Sequence, residues 1–378
     1  MKKAKIIVCV FFFVLLAALT VASMVNPVRE SSESENRPLA QMPEFSLEAV
    51  FGGEFTKGYE DFVTDQFVWR DAWINIKSRV ERLLGKTTSN GVYFAKDGYF
   101  IERVTENDID KEQLEKNIGQ LEKFLESITP EIDNKPVIAI APVASMILED
   151  KLPWLADEYN WDKLFDGISD RLGDSFVDLR PILRANNNDY IYYRTDHHWT
   201  TDGAYLAYTE LIRKFGFEPL SKDEFERVEV SDSFLGTVIA KLNIKSDTDT
   251  IVKYEPKKSG TVKLSYNLGS LVTDSFYNEE KLLTRDKYAY FLGDNTALIE
   301  VETENDNDRV LIMAKDSYAN CMLPFLACHF EKIYVIDMRY FNAGMVSYTK
   351  QLGDVTDALV LYNVSGFKSA KELVKLYT

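Results

Sequence analysis

Cysteine is nearly missing from this chain. Of the three present, Cys9 lies in an apolar run, which leaves only Cys321 and Cys328. Two thiols cannot build a disulfide framework, and neither CxxC nor any other zinc-type spacing occurs. On one helix their seven-residue separation would hold the Cα atoms about 10 Å apart, beyond disulfide reach, so both read as small buried thiols. Positive charge is also short. Lys and Arg number 44 against 60 Asp and Glu, a net charge of −16, which repels a phosphate backbone, so no nucleic-acid partner is expected. Histidine is the third scarcity, with only His197, His198 and His329 to carry imidazole chemistry. No internal repeat appears, which argues against a fibrous architecture.

What the chain has is length and apolar bulk. Its 378 residues, 46% hydrophobic and 13% aromatic, allow two or three domains with proper cores and exclude global disorder. Lys2, Lys3 and Lys5 precede the uncharged run Ile6 to Val25, whose length as a helix, about 30 Å, matches the hydrocarbon thickness of a bilayer. A buried core helix fits badly, because the run is terminal, basic on one flank only and without a polar face. The basic flank should stay cytoplasmic, placing the rest of the chain outside. Ala22-Ser23-Met24 is a poor cleavage site, so residues 1–25 read as an uncleaved anchor; cleavage would make the protein secreted.

Residues 26–53 read as a stalk without a fold, given Ser31-Ser32-Glu33-Ser34-Glu35-Asn36 and no apolar period in this stretch. Residues 54–108 form a helical and hairpin element. Tyr59, Phe62, Phe67, Trp73, Ile76, Val80 and Leu83 approximate one helical stripe, stopped by Gly85. Val92-Tyr93-Phe94 and Tyr99-Phe100-Ile101 flank a turn whose Asp97-Gly98 supplies positive φ. Residues 109–220 and 306–378 alternate strand and helix, the pattern of an α/β parallel sheet covered by helices. Strands are expected at Val137 to Ala141, Phe176 to Leu179, Val310 to Met313, Ile333 to Ile336 and Ala358 to Tyr362. Helices are expected at Trp161 to Leu172, Thr201 to Phe215, Asn320 to Phe330 and Ser369 to Leu376. Residues 221–305 are a polar, β-rich insertion.

Two of the three histidines fall in Tyr193-Arg194-Thr195-Asp196-His197-His198-Trp199. In an extended backbone residues two apart share a side, so Asp196 can hold the His198 imidazole in one tautomer, as in half of a nucleophilic triad. A structural Asp–His bond at a helix start is the plainer alternative. Zinc is a third, weakened because adjacent imidazoles should project to opposite sides and no third ligand is suitably spaced. Val310 to Asn320 reads strand, turn, Ser317, helix, which places that serine where open α/β sheets bind ligands, beside N–H groups able to hold an oxyanion. A simple helix cap is its plainer alternative. His329, late in that helix, reads as structural. Trp199 and Tyr318 adjoin these residues and offer either an aromatic sugar-binding face or core packing.

Asp196-His197-His198-Trp199, Lys315-Asp316-Ser317-Tyr318-Ala319-Asn320 and Asn36-Arg37-Pro38-Leu39 resemble the signatures of the DHHW proteins, relatives of the alginate O-acetyltransferases with an SGNH-hydrolase-like domain. Asp65-Gln66-Phe67 to Arg70 and Phe291-Leu292-Gly293 extend the resemblance over nearly the whole exported part. It implies a three-layer SGNH-like domain with a circularly permuted motif order, since the Asp–His pair precedes the serine. It also implies Ser317 as nucleophile, His198 as general base, Asp196 as its orienting acid, and acetyl transfer to a cell-surface polysaccharide. Asn363, after the strand Ala358 to Tyr362, falls where the superfamily's asparagine serves the oxyanion. Asp337-Met338-Arg339-Tyr340 stands where a glycine is usual, which makes Arg339 a second oxyanion candidate and Tyr340 a substrate-binding one. Lys315 departs from the Gly-Asp-Ser of ordinary SGNH hydrolases but agrees with the DHHW subgroup.

The resemblance implies no metal or cofactor, and a membrane-bound O-acyltransferase partner that delivers acetyl groups across the bilayer. Two rivals keep the same residues: a carbohydrate acetylesterase, and a non-catalytic glycan-binding scaffold of the export machinery. The insertion could shape the acceptor groove, with Tyr254, Tyr266 and Tyr277 as its first candidates, or serve stability alone.

Overall fold

The computed structural model describes residues 2–32, 37–258 and 260–378; Glu33 to Asn36 of the stalk, including the first residue of the Asn36-Arg37-Pro38-Leu39 motif, lie outside the described residues. The chain divides into two compact units, one of Met1–Asn90 with Ile239–Lys245, the other of Gly91–Val238 with Ser246–Thr378.

The first unit holds α1 (Lys2–Val25), α2 (Glu54–Asp65) and α3 (Arg70–Leu83). Within α1, Lys3–Val25 is long and apolar enough to cross a membrane and is exposed along its length. The single helix expected from Phe55 to Leu83 is broken at Gln66–Trp69, where Trp69 takes a left-handed φ of 54°. The break has a tertiary cause, because Asp65 and Gln66 turn toward the stalk. Arg37 donates twice to Asp65, at 2.7 and 2.6 Å, and Ala40 N donates to it at 2.9 Å. Those bonds hold the Asp65 carboxyl at about 2, below the usual carboxylate range. Gln66 accepts from Arg29 N and donates to Arg29 O. The stalk is therefore not the foldless segment expected: Ser31–Ser32 pairs with Arg37–Pro38, and both ends are tied to the α2–α3 junction.

The second unit opens with the hairpin β1 (Val92–Phe94) and β2 (Phe100–Glu102), turned through Asp97 and Gly98 at φ 56° and 77°. Next come α4 (Lys111–Ile128), β3 (Val137–Ala141), α5 (Trp161–Leu172) and α6 (Thr201–Lys214). The β-rich segment gives the antiparallel pair β4 (Phe225–Phe234) and β5 (Asp249–Pro256), then β6 (Lys263–Tyr266), β7 (Leu271–Thr273) and β8 (Leu298–Glu302). β9 (Val310–Lys315), β10 (Lys332–Ile336), α7 (Met345–Leu352) and β11 (Asp357–Asn363) close the chain.

A seven-stranded mixed sheet runs β7-β6-β8-β10-β9-β11-β3. Only β10, β9, β11 and β3 are mutually parallel; β8, β6 and β7 extend the sheet antiparallel. The expected all-parallel sheet is thus half of a larger one, and the β-rich segment supplies the rest. β3, β9 and β11 are buried at every position, which explains their unbroken apolar runs. Two expected elements are absent. Phe176 makes one bridge to Ile138 and the chain then leaves the sheet. Asn320 to Phe330 is not a regular helix but a 3₁₀ turn, Ser317–Met322, followed by one α turn, Leu323–Leu326. Pro324 has no N–H to continue a helical ladder through this stretch. The last helix shortens likewise to the 3₁₀ turn Glu372–Leu376.

Candidate active site

Ser317 leaves the carboxyl end of β9, the strand between β10 and β11, as the first residue of the 3₁₀ turn. Its N–H therefore has no acceptor within the turn. Asp316 caps that turn: one carboxylate oxygen accepts from Tyr318 N at 2.9 Å and the other from Asn363 N at 2.7 Å. These bonds lock the ends of β9 and β11 together, while burial keeps the Asp316 carboxyl above its ordinary range.

His198 reaches this strand end from the segment before α6. His198 Nδ1 lies 2.5 Å from Asp196 Oδ1, and His198 Nε2 lies 2.7 Å from Ser317 Oγ. An ionised Asp196 only accepts, so Nδ1 carries the proton and Nε2 is left to accept from the Ser317 hydroxyl. Burial, with His197 alongside, pushes His198 down to about 4 against the pull of Asp196, so its imidazole is neutral at pH 7. Burial works against the Asp196 anion, yet the two imidazoles and the bonds from His198 and Thr237 hold its carboxyl well below the usual range.

Four groups that the sequence did not point to hold this array. Asp196 Oδ2 accepts from Thr237 N at 2.8 Å and Thr237 Oγ1 at 3.0 Å. Gly236 passes so close that a Cβ there would stand 2.1 Å from Asp196 Cβ. Tyr288 stacks on the His198 ring, centroids 3.7 Å apart and planes 11° from parallel, and donates to Ser317 O at 3.1 Å. Buried Asp249 accepts from Arg194 N, Thr195 N, Thr195 Oγ1 and Tyr190 OH, fixing the approach to Asp196. All four come from residues 221–305, where an isolated Gly-Thr or a lone Tyr or Asp carries no motif.

The other residues singled out in the sequence fare unevenly in space. Trp199 and Tyr318 offer no exposed face to a sugar: both are buried, Trp199 Nε1 donates to Tyr318 O at 2.8 Å, and Tyr318 OH donates to His197 O. They buttress the array from within the core, Trp199 from an isolated bridge to Tyr192 and Tyr318 from the 3₁₀ turn that begins at Ser317. Asn363 caps the turn after β11, accepting from Ser365 N, and its amide donates to Ala141 O at 3.3 Å. Arg339 is bound to buried Asp337 by two side-chain bonds, at 2.9 and 2.6 Å, and by its backbone N–H at 3.1 Å, and its charge acts on both Lys315 and Asp316. Tyr340 is half exposed beside it. Lys315 is buried, donates to Asn320 Oδ1 at 2.6 Å, and is pushed down to about 8 by burial. His329 bonds Tyr208 OH, and Cys321 and Cys328 are free thiols. Tyr254 and Tyr266 are buried core, whereas Tyr277 is half-buried, donates its hydroxyl to Tyr254 O and borders a cavity; none of the three is an exposed surface residue.

His197 and His198 do not point apart. Their ring centroids are 3.9 Å apart, because this segment bends instead of running extended. Asp196, His197 and His198 consequently bring donor atoms within 4.8 Å of one another. In this arrangement Asp196 and His198 satisfy each other, and His197 Nδ1 lies 2.7 Å from Thr237 Oγ1.

A small cavity of about 20 Å³ adjoins the array, lined by Glu102, Val143, Ser145, Asp196, His197 and Ser365 among others. It has room for a group about the size of one water molecule. A larger cavity of about 950 Å³ lies between the β-rich segment, around Glu255 and Asp274, and the turn at Pro324 to Cys328, and none of Ser317, His198 and Asp196 lines it. The candidate active site rests on the hydrogen-bonded array, not on cavity size.

Fold and site together define an α/β protein with a Ser-His-Asp array at the carboxyl end of a central parallel strand. Residues 164–336 match the model of the family described as DHHW protein. The chain's fold is similar to that of a DHHW family protein from Eubacterium siraeum, at 24% identity and a TM-score of 0.64, over 76% of this chain and 95% of that one. It is also similar to Bacillus cereus PatB1, at 20% identity and a TM-score of 0.61, over 73% of this chain and 97% of that one. PatB1 carrying a sulfonyl adduct compares at 20% identity and a TM-score of 0.60, over 75% of this chain and 97% of that one. No curated protein sequence matches.

Proposed function

We propose that this protein is an extracytoplasmic O-acetyltransferase that modifies a cell-surface or secreted polysaccharide through an acetyl-serine intermediate. One observation carries the reading: the unbroken chain Ser317 Oγ, His198 Nε2, His198 Nδ1, Asp196, with spacings of 2.7 and 2.5 Å. Ser317 Oγ attacks the acetyl carbonyl while His198 Nε2 takes its proton, and that proton goes to the departing donor oxygen. A sugar hydroxyl then gives its proton to His198 and takes the acetyl group from Ser317, and His198 passes that proton to the departing Ser317 Oγ. Asp196, held by Thr237, stabilises the imidazolium formed in each half. The Ser317 N–H, the Asn363 amide and Arg339 are the groups proposed to bind the oxyanion.

The SGNH-like assignment with permuted order rests on the same site, since the Asp–His segment precedes the serine strand in sequence and meets it in space. The DHHW resemblance supports acetyl as the group transferred and a membrane-bound O-acyltransferase as its donor. The run of apolar residues in α1 supports a membrane-anchored protein facing outward. A sulfonyl adduct on the similarly folded PatB1 suggests a direct probe of the nucleophile here. The testing experiment gives the purified chain a chromogenic acetyl ester, with and without candidate oligosaccharides. Acetylated oligosaccharide formed by the native chain and lost in Ser317→Ala supports the transferase. Ester hydrolysis with no acetylated product under any acceptor turns the reading to an acetylesterase, and no turnover at all turns it to a scaffold.

A further inference from the structure

α3 carries an apolar face that lies exposed among the described residues. Trp69, Trp73, Ile76, Val80 and Leu83 are 66, 44, 52, 47 and 86% exposed. At helical spacing they fall within an arc of about 80°. Lys77 and Arg79 flank that arc, one on each side, while Asp71 and Glu81 lie further round. The opposite side is the packed one: Ser78 is buried, and Asn75 donates to Asn243 O. A continuous exposed face of this size marks a contact surface.

Its place in the chain says with what. Val68 N, just before α3, donates to Ser23 Oγ near the end of α1 at 3.4 Å. Arg29, four residues after α1, is bound through both its N–H and its carbonyl to Gln66. If α1 crosses a bilayer, its end marks the membrane surface, and the start of α3 is tied there. A helix at that level with tryptophans at its leading end, an aliphatic face and basic flanks has the make-up of one lying in the interface. The two flanking charges share the sign that anionic headgroups attract.

We propose that α3 lies along the membrane surface with this face between headgroups and acyl chains, giving the first unit a second membrane contact besides α1. The inference is independent of the chemistry at Ser317 and shares with the proposed function only the anchor role of α1. It is tested on the full chain reconstituted into vesicles of phosphatidylcholine and phosphatidylglycerol. Single nitroxides are attached at Ile76→Cys, Val80→Cys and Leu283→Cys in a chain whose native cysteines are replaced by alanine, and at Cys9 in a chain lacking only the other two. Leu283, 90% exposed, is the aqueous reference and Cys9 the lipid one. The expected result is a ratio of oxygen to water-soluble nickel accessibility at Ile76 and Val80 severalfold above that at Leu283. Nickel accessibility equal to that at Leu283 would place the face in water and overturn the proposal. Exclusion of both reagents would overturn it in favour of a covering protein, a second copy included. A lipid-like ratio at Ile76 and Val80 with an aqueous one at Cys9 would uphold the α3 contact and remove α1 as the anchor.

Discussion

His198 provides the sharpest quantitative expectation, because its burial changes where activity should fail in acid. A general base must be neutral, so the rate follows the neutral fraction of the imidazole. With a pKa of about 4, about 90% of His198 remains neutral at pH 5; an ordinary histidine near 6.5 would be only about 3% neutral there. Between pH 7 and pH 5, kcat/KM for a chromogenic acetyl ester should thus fall by only about a tenth, against about 25-fold for an unperturbed base. The stability consequence has the opposite sense to a salt-bridged histidine. The folded pKa lies below the unfolded one, so the unfolded chain binds more protons between about pH 6.5 and 4. Stability is then full above about 6.5 and declines toward 4, by at most about 3 kcal/mol for this group. His329, also pushed down to about 4 by burial, adds a loss in the same window. Circular dichroism at each pH separates titration from unfolding. An acid limb with its midpoint near 6.5, measured while the protein is folded, would refute the buried imidazole as the base.

Two further outcomes follow from the groups around the array. Tyr288→Leu removes both the stack on His198 and the bond to Ser317 O, and should lower kcat about 10- to 100-fold with little change in KM. Tyr288→Phe keeps the ring and should recover most of that loss; if both variants fail equally with normal melting, the stack is not what positions the base. Gly236→Ala would set a Cβ 2.1 Å from Asp196 Cβ and 2.6 Å from its Cα, and should cost about 1–3 kcal/mol in urea unfolding along with acyl-enzyme formation. An unchanged midpoint and full activity would show that this backbone can yield.

The parallel strands were legible because β3, β9 and β11 are buried on both faces, so each is an apolar run bounded by polar residues or proline. The Ser-His-Asp residues were legible because scarcity narrowed the choice: of three histidines, only His198 has a carboxylate two residues before it. What escaped were features set by tertiary contact. The α2–α3 break is made by Arg37, Ala40 and Arg29, partners more than twenty residues away in sequence. Pro324 was visible, but the apolar residues around it imitated a helix that its missing N–H prevents. The largest difference concerns residues 221–305, read as a polar, β-rich insertion with Tyr254, Tyr266 and Tyr277 as candidate acceptor residues. Instead the segment completes the sheet with β6, β7 and β8 and brings Thr237 and Tyr288 onto Asp196 and His198.

The central claim is that Ser317 carries the acetyl group, activated by His198. It is tested most directly by exposing the full chain briefly to an activated acetyl ester, quenching in acid, and mapping the modified peptide by mass spectrometry. The expected result is one acetyl group on Ser317, lost in Ser317→Ala, greatly slowed in His198→Ala, and discharged when an oligosaccharide acceptor is added. Acetylation of a lysine or of another serine, equal in the native chain and in His198→Ala, would contradict it.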